Sequence, residues 1–386
     1  MNFSKDFQYI DQNQQLRDYC DAIKDADHCA IDTEFVREST YYPILSLIQI
    51  ASGEHQACID PLAITDFEPL KSILVKPELL KIFHSPSQDL EILYQNFAEV
   101  PQPIFDTQLA AAVLGYNHQI SYADLVQQVT GVELEKKFTR ADWSRRPLSD
   151  GELDYAMDDV RYLIPVYQCM KSELETRNRL HWLEKDLNTM SSAQTYSVDE
   201  SSLWKKLKGV QKLKGVRLQI ASDLCRWRED LARHSNKPRR WMAKDDLLIE
   251  IARQKPADLA ALADIPELND KMLKRHGEKL LSIVKAAGNI PSDQWPRHDK
   301  MKNLSTSQMA LGDCLMALCR IIADENKIAL ATLATRKDID TLVLHQKNSR
   351  LTQGWRFSMA GEQLLNFIHG QSSLSVNNDR IKLTTE

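Results

Sequence analysis

Cys29-Ala-Ile-Asp-Thr-Glu-Phe35 sets two acids, Asp32 and Glu34, into an apolar run with the character of a β-strand. Strand side chains alternate faces, so residues i and i+2 leave the same side of a sheet. Twice the strand rise puts the two carboxylates about 7 Å apart, where they repel and lose hydration. A multivalent cation neutralises such a pair; a solvated strand end merely tolerates it. Acids make up 54 of the 386 residues, so the spacing recurs by chance. The reading turns on whether further acids arrive beside these two.

Outward from that strand the pattern is α/β. Residues 28–35, 46–52 and 54–60 read as strands, the last two joined tightly at Gly53-Glu54, a hairpin signal. A helix over about 66–75 follows, then the strand Leu80–His84 and a helix over 88–97 that Ser85 or Ser87 caps. Next come the short strand Ile104–Asp106, closed by an acid that caps the following helix, and helices over 107–114 and 121–130. Ser149-Asp-Gly-Glu152 is a capping box opening a helix that runs through Leu163 and is kinked by Pro165. A hairpin followed by alternating strands and helices implies a mixed sheet flanked by helices. The polar, Ser-rich stretch 188–203 marks a linker, and apolar spacing of three and four predicts helices through 217–287. A second linker, 288–306, carries Pro291 and Pro296; a further helical block covers about 307–371, and the tail is expected to be poorly ordered.

The bulk numbers narrow the function classes. No stretch approaches the roughly 18 consecutive apolar residues of a membrane span, and no signal peptide is apparent. Seven cysteines without a C-x-x-C pair argue against a disulfide framework and for a reducing, cytoplasmic setting. The net charge of −5 is the sum of −16 over residues 1–200 and +11 over 201–386. An acidic half joined to a basic half suggests cation chemistry in one and a polyanionic partner for the other.

Three more residues bear on the acidic pair. Asp89 lies near the start of a helix after a strand, where an acid also serves the helix dipole. Tyr155 precedes Asp159 by four residues, so a hydroxyl and a carboxylate share one helix face. In this order the set resembles the DEDD superfamily of 3′→5′ exonucleases, in its tyrosine branch, and within it the ribonuclease D family. The segments carrying the resemblance are Ile31-Asp-Thr-Glu-Phe-Val-Arg37, Thr40-Tyr-Tyr-Pro43, Leu47-Ile-Gln-Ile50, His84-Ser-Pro-Ser-Gln-Asp-Leu90, Phe105-Asp-Thr-Gln108 and Asp154–Leu163. The histidine branch has His five residues before its last acid; here that position is Asp154. The blocks after residue 210 look like HRDC domains, with Lys274-Arg-His-Gly-Glu-Lys-Leu-Leu281 the best match; Leu268-Asn-Asp270 stands where that module's hairpin often has glycine.

The resemblance implies a ribonuclease H-like α/β exonuclease domain over 1–190, an HRDC domain over 210–290 and an HRDC-like domain over 305–372. It implies hydrolysis of RNA from a free 3′ end to nucleoside 5′-monophosphates, with tRNA precursors as expected substrates and no membrane or obligate protein partner. It also implies two divalent cations, Mg²⁺ or Mn²⁺. Asp32 is expected to bridge both, Glu34 and Asp159 to complete the site of the attacking water, Asp89 to hold the second ion, and Tyr155 to orient the nucleophile. His84 is expected to brace the strand-to-helix turn. Phe35 is a candidate wedge against the terminal base, with core packing the alternative. Helical spacing is expected to bring Lys205, Lys208 and Lys212 to one side for backbone contact, and Arg239, Arg240 and Trp241 pair cations with a flat ring. Arg37, Arg140, Arg145 and Arg146 are weaker phosphate-binding candidates. Two alternatives stand beside this reading: a DNA-trimming exonuclease of the same superfamily, and a non-catalytic RNA-binding protein.

Overall fold

The computed structural model describes residues 6–135, 137–139, 141–298, 303–344, 348–378 and 380–385. The chain forms two compact units: Met1–Glu34, Leu45–Tyr196 and Lys302–Glu386 make one, Phe35–Ile44 and Ser197–Met301 the other.

The first unit is built on a six-stranded sheet of β1 (Gln8–Ile10), β2 (His28–Val36), β3 (Ile44–Ser52), β4 (His55–Ile59), β5 (Leu80–Phe83) and β6 (Ile104–Asp106), in the order β1-β4-β3-β2-β5-β6. β3 and β4 form an antiparallel hairpin turned at Gly53, where φ is +58°. β1 joins β4, β5 joins β2 and β6 joins β5, all in parallel, so the sheet is mixed. Strand β2 lies inside the sheet, between β3 and β5, and its alternation sends Ala30, Asp32 and Glu34 to one face.

That face is covered by helices. The core there sets Ala30, Leu47, Ala51, Cys58, Ile82 and Phe105 of the sheet against α4 (Thr107–Leu114), α6 (Asp150–Arg161) and α7 (Leu163–Thr176). Small side chains, Ala110 and Ala111 on α4 and Ala156 on α6, are wholly buried and let helix backbones approach the sheet closely. α1 (Asn13–Ile23), α2 (Glu68–Val75), α3 (Ser87–Phe97) and α5 (Tyr122–Thr130) complete the layers around the sheet.

Several local details depart from the sequence expectations. β1 and α1 had no counterpart in the sequence reading. β1 is three residues long, too short for an alternation signal, and is defined by its pairing with β4. Neither Ser85 nor Ser87 caps α3: Pro86 occupies the N-cap without a side-chain bond, and Ser85, at φ +58°, gives its N–H to Asp106. Asp106 instead caps α4 through Gln108 N–H. Ser149 and Glu152 do form the reciprocal capping box of α6. The helix breaks at Tyr162, and Pro165 falls in the first turn of α7, where its missing N–H costs nothing. Part of the expected linker is helical, over Glu184–Met190 and Ala193–Tyr196. The tail forms an antiparallel hairpin, β7 (Ser372–Asn377) with β8 (Arg380–Thr385), because each strand supplies the other's backbone partners.

The C-terminal helices Thr306–Glu325, Leu330–Leu333, Arg336–Val343 and Glu362–Ile368 enclose Leu315, Leu318, Ile339, Leu342, Leu351 and Leu364 within the same unit. Trp182 and Trp355 stack face to face, 4.3 Å apart and 4° from parallel, with Arg179 and Arg356 on their outer faces. Arg179 also donates to the carbonyls of Val113 and Asn326, fastening this block to the sheet's own helices.

In the second unit, helices Val216–Ser235, Asp245–Gln254 and Asp270–Gly288 pack around Leu218, Leu224, Leu248, Ile251, Leu262 and Leu280. Asn269 caps the last of them by accepting from Met272 N–H, at the position where a hairpin glycine was absent. Among the described residues, no helix is long and apolar enough to cross a membrane.

Candidate active site

β2 and α6 together build an acidic cluster. Asp32 and Glu34 leave β2 two residues apart, and Asp159 arrives from α6; one oxygen of each lies within 4.8 Å of the others. All three keep part of their surface open. Crowding by protein atoms raises every one of them, because burial penalises the ionised form and the neighbouring carboxylates add repulsion. Asp32 is pushed well above the ordinary carboxylate range, by burial first and then by Asp89, Asp159 and Glu34. Glu34 is pushed up to about 8 and Asp159 to about 7, again chiefly by burial.

Asp89, in the first turn of α3, is buried and lies outside that tight triplet, yet it raises Asp32 from across the site. Its own value rises to about 6 through burial, opposed by the Thr33 hydroxyl, which donates to Oδ1 at 2.5 Å. Thr33 leaves the opposite face of β2 from its acidic neighbours and so anchors α3 to the strand.

Tyr155 sits one turn before Asp159 on α6. Its phenol is pushed up to about 12 by burial and by Asp159, Glu34 and Asp32, so it keeps its proton at neutral pH. Its ring lies between Trp143, at 6.4 Å and 22°, and Phe138, at 5.9 Å and 68°. Tyr122, which sequence reasoning missed, is half-buried at the start of α5, near Asp159 and Asp32, and donates to the Asp158 carbonyl at 2.9 Å. Nothing in a sequence window separates it from any helix-start tyrosine. His84 is braced on both ring nitrogens, by Thr107 Oγ1 and the Ile120 carbonyl, and burial lowers it to about 4, which suits a structural imidazole.

The basic candidates divide. Residues 203–206 and 210–212 form two 3₁₀ turns, and the α-helix begins only at Val216. α-helical spacing therefore does not apply to Lys205, Lys208 and Lys212. A period of three buries Trp204, Leu207, Val210 and Leu213, and all three lysines stand exposed between them. Arg239 is committed elsewhere: it pairs with Glu229 through Nε and Nη2 and lies over the Tyr41 ring at 4.8 Å. Tyr41 donates to the same carboxylate, and Asn236 accepts from the Tyr41 and Tyr42 N–H groups. Arg240 is exposed, and Trp241 is 61% exposed with Lys237 over its ring. Phe35 is half-buried at the end of β2, and Arg37 is exposed. Arg145 is tied to Glu152, and Arg146 is bound to Asp60 and three carbonyls, so neither serves as a free phosphate ligand. Arg140 lies outside the described residues.

The donor set is all oxygen, close-packed and mutually repulsive, which fits hard divalent cations such as Mg²⁺ and Mn²⁺. Comparison with known proteins agrees in kind. A profile described as 3′-5′ exonuclease matches residues 7–175, and the HRDC domain profile matches residues 217–284. Ribonuclease D of Bartonella henselae is 35% identical over 386 aligned residues, 98% of this chain and 94% of that protein. Ribonuclease D of Escherichia coli is 33% identical over 371, covering 94% and 98%. The crystal structure of Escherichia coli RNase D, described as an exoribonuclease involved in structured RNA processing, superposes with a TM-score of 0.83, covering 95% of this chain and 99% of that one at 33% identity.

Proposed function

The chain belongs to the ribonuclease D family and is a 3′→5′ exoribonuclease; on that footing we propose that it trims structured RNAs, tRNA precursors foremost, releasing nucleoside 5′-monophosphates at the Asp32–Glu34–Asp159 cluster. The observation that carries this reading is the approach of those three carboxylates to within 4.8 Å of one another, on elements that have no other reason to concentrate charge. Asp32 would bridge two divalent cations, with Glu34 and Asp159 completing one position and Asp89 serving the other. Such ions would supply a nucleophilic water and stabilise both the equatorial and the leaving oxygens.

The chain's own groups do the positioning. Tyr155 holds its phenolic proton and donates a hydrogen bond that orients the attacking water. The Thr33 hydroxyl fixes the Asp89 carboxylate at Oδ1. Phe35, next to Glu34 in the chain, would stack on the terminal base. The exposed Lys205, Lys208, Lys212, Arg240 and Trp241 would hold the RNA backbone and bases, whereas Arg239, held by Glu229, would not. This reading keeps an exonuclease domain over 1–190, an HRDC domain over 210–290 and an HRDC-like domain over 305–372.

The test is a 5′-labelled RNA with a 3′ overhang, and the matched DNA strand, incubated with Mg²⁺, Mn²⁺ or EDTA. A ladder shortening from the 3′ end of the RNA, abolished by EDTA, is expected. Internal cuts, or shortening that survives chelation, would sink the assignment.

A further inference from the structure

Where β5 turns into α3, three consecutive residues are held by two consecutive residues at the entry to α4. Phe83 and Asp106 face each other in the parallel register of β5 and β6. The Thr107 hydroxyl donates to the Phe83 carbonyl at 3.1 Å, and His84 Nδ1 meets the same hydroxyl at 2.9 Å. Ser85 then gives its N–H to Asp106 Oδ1 at 2.9 Å, and Gln108 N–H donates to that same oxygen, also at 2.9 Å. Asp106 is 4% exposed and Thr107 is wholly buried. A single carboxylate oxygen thus closes two helix entries.

This tie does more than cap α4. One bond, to Gln108, is enough for an N-cap. The second holds Ser85 at a φ of +58°, a left-handed backbone that a residue with a Cβ keeps only when its surroundings enforce it. Pro86 follows without a side-chain cap bond, and its carbonyl accepts from Leu90 N–H at 2.9 Å to close the first turn of α3. Asp89 sits in that turn. The start of α3 is therefore set from outside the helix, by the turn that Asp106 holds. At its other end the Asp89 side chain is gripped by the Thr33 hydroxyl on Oδ1. Thr33 fixes the tip and the turn fixes the stem.

We propose that Asp106 is a positioning residue for Asp89: through Ser85 it sets the turn that delivers the Asp89 carboxylate to the second cation position. The inference rests on the metal-binding role given to Asp89 above. What Asp106 supplies is an acceptor for two amides, so its oxygen matters and its charge does not. Groups that orient a metal ligand in this way typically change cation affinity by about 10–100-fold when lost.

The experiment is a Mn²⁺ titration of the EDTA-treated, full-length protein, with free Mn²⁺ read by electron paramagnetic resonance and melting followed in parallel. Asp106→Asn keeps an oxygen at the accepting position and should bind two ions as the unsubstituted protein does. Asp106→Ser keeps an N-cap for α4 but is one bond shorter and should lose Ser85. It is expected to hold most of its melting temperature, to weaken one ion about tenfold and to leave the other alone. Asp106→Ala should show the same tenfold loss with lower melting. The Mg²⁺ concentration for half-maximal cleavage of a 5′-labelled oligoribonucleotide should rise by the same factor in the Ser and Ala variants. Unchanged ion binding in Asp106→Ser, or a loss in Asp106→Asn equal to that in Asp106→Ala, overturns the proposal. Fewer than two ions on the unsubstituted protein would remove the role of Asp89 and the proposal with it.

Discussion

The acidic cluster of the first unit and the basic surface of the second handle charge in opposite ways. Asp32, Glu34, Asp89 and Asp159 are crowded together with their ionised forms disfavoured, which no fold does for stability. Lys205, Lys208 and Lys212 stand in water over a buried spine of Trp204, Leu207, Val210 and Leu213, at almost no energetic cost. Frustrated buried charge is a strong functional sign, since another partner must relieve it. Exposed charge is a weak one. Its work is collective and screened by salt.

The largest effect should come from the frustrated side. Asp32→Asn or Asp159→Asn is expected to lower the RNA hydrolysis rate by about 10³-fold or more, while raising the melting temperature of the metal-free protein by relieving repulsion. Normal rates in Asp159→Asn would erase the contrast. On the other side, replacing Lys205, Lys208 and Lys212 together by Ala should raise KM about tenfold, leave kcat alone and flatten the salt dependence of binding by about two units of slope. An unchanged slope would show that these lysines only solvate the surface.

The buried acids also predict a pH dependence of stability. Folded Glu34, Asp159 and Asp89 titrate near 8, 7 and 6, above their ordinary 4.5, 3.8 and 3.8. Between those values the folded state holds more protons than the unfolded one. Their stabilisation is therefore complete below pH about 4 and is lost as pH rises through 6 to 8. In EDTA the melting temperature should fall by several degrees from pH 5 to 8.5, and Mg²⁺ should recover more at 8.5 than at 5. A flat profile in EDTA would mean that the cluster is not strained.

The smallest effect on RNA should come from a cation that is already spoken for. Arg239→Ala is expected to leave the salt slope of binding unchanged while destabilising the protein by roughly 1–3 kcal/mol, since it takes the forked guanidinium from Glu229, whose side chain is 1% exposed and keeps only the Tyr41 hydroxyl, among the described residues, as a direct bond. A loss of RNA affinity with unchanged melting would return Arg239 to the binding surface.

The parts of the site that follow from fixed periodicities were legible in the amino-acid order alone. Alternation put Asp32 and Glu34 on one face of β2, a spacing of four put Tyr155 over Asp159, and S-x-x-E marked the start of the helix that carries both. Strand and helix geometry is the same in every protein, so these survive without tertiary knowledge. Which element packs beside which came only with the folded chain. That Thr33 holds Asp89, that Tyr122 reaches from α5 to the Asp158 carbonyl, and that Arg146 spends its fork on Asp60 rather than on phosphate all depend on partners 36 to 86 residues away. The lysine run misled for a related reason: its glycines, Gly209 and Gly215, take φ of +90° and +60° and break the helix that spacing alone suggested, leaving a period of three set by the core beneath.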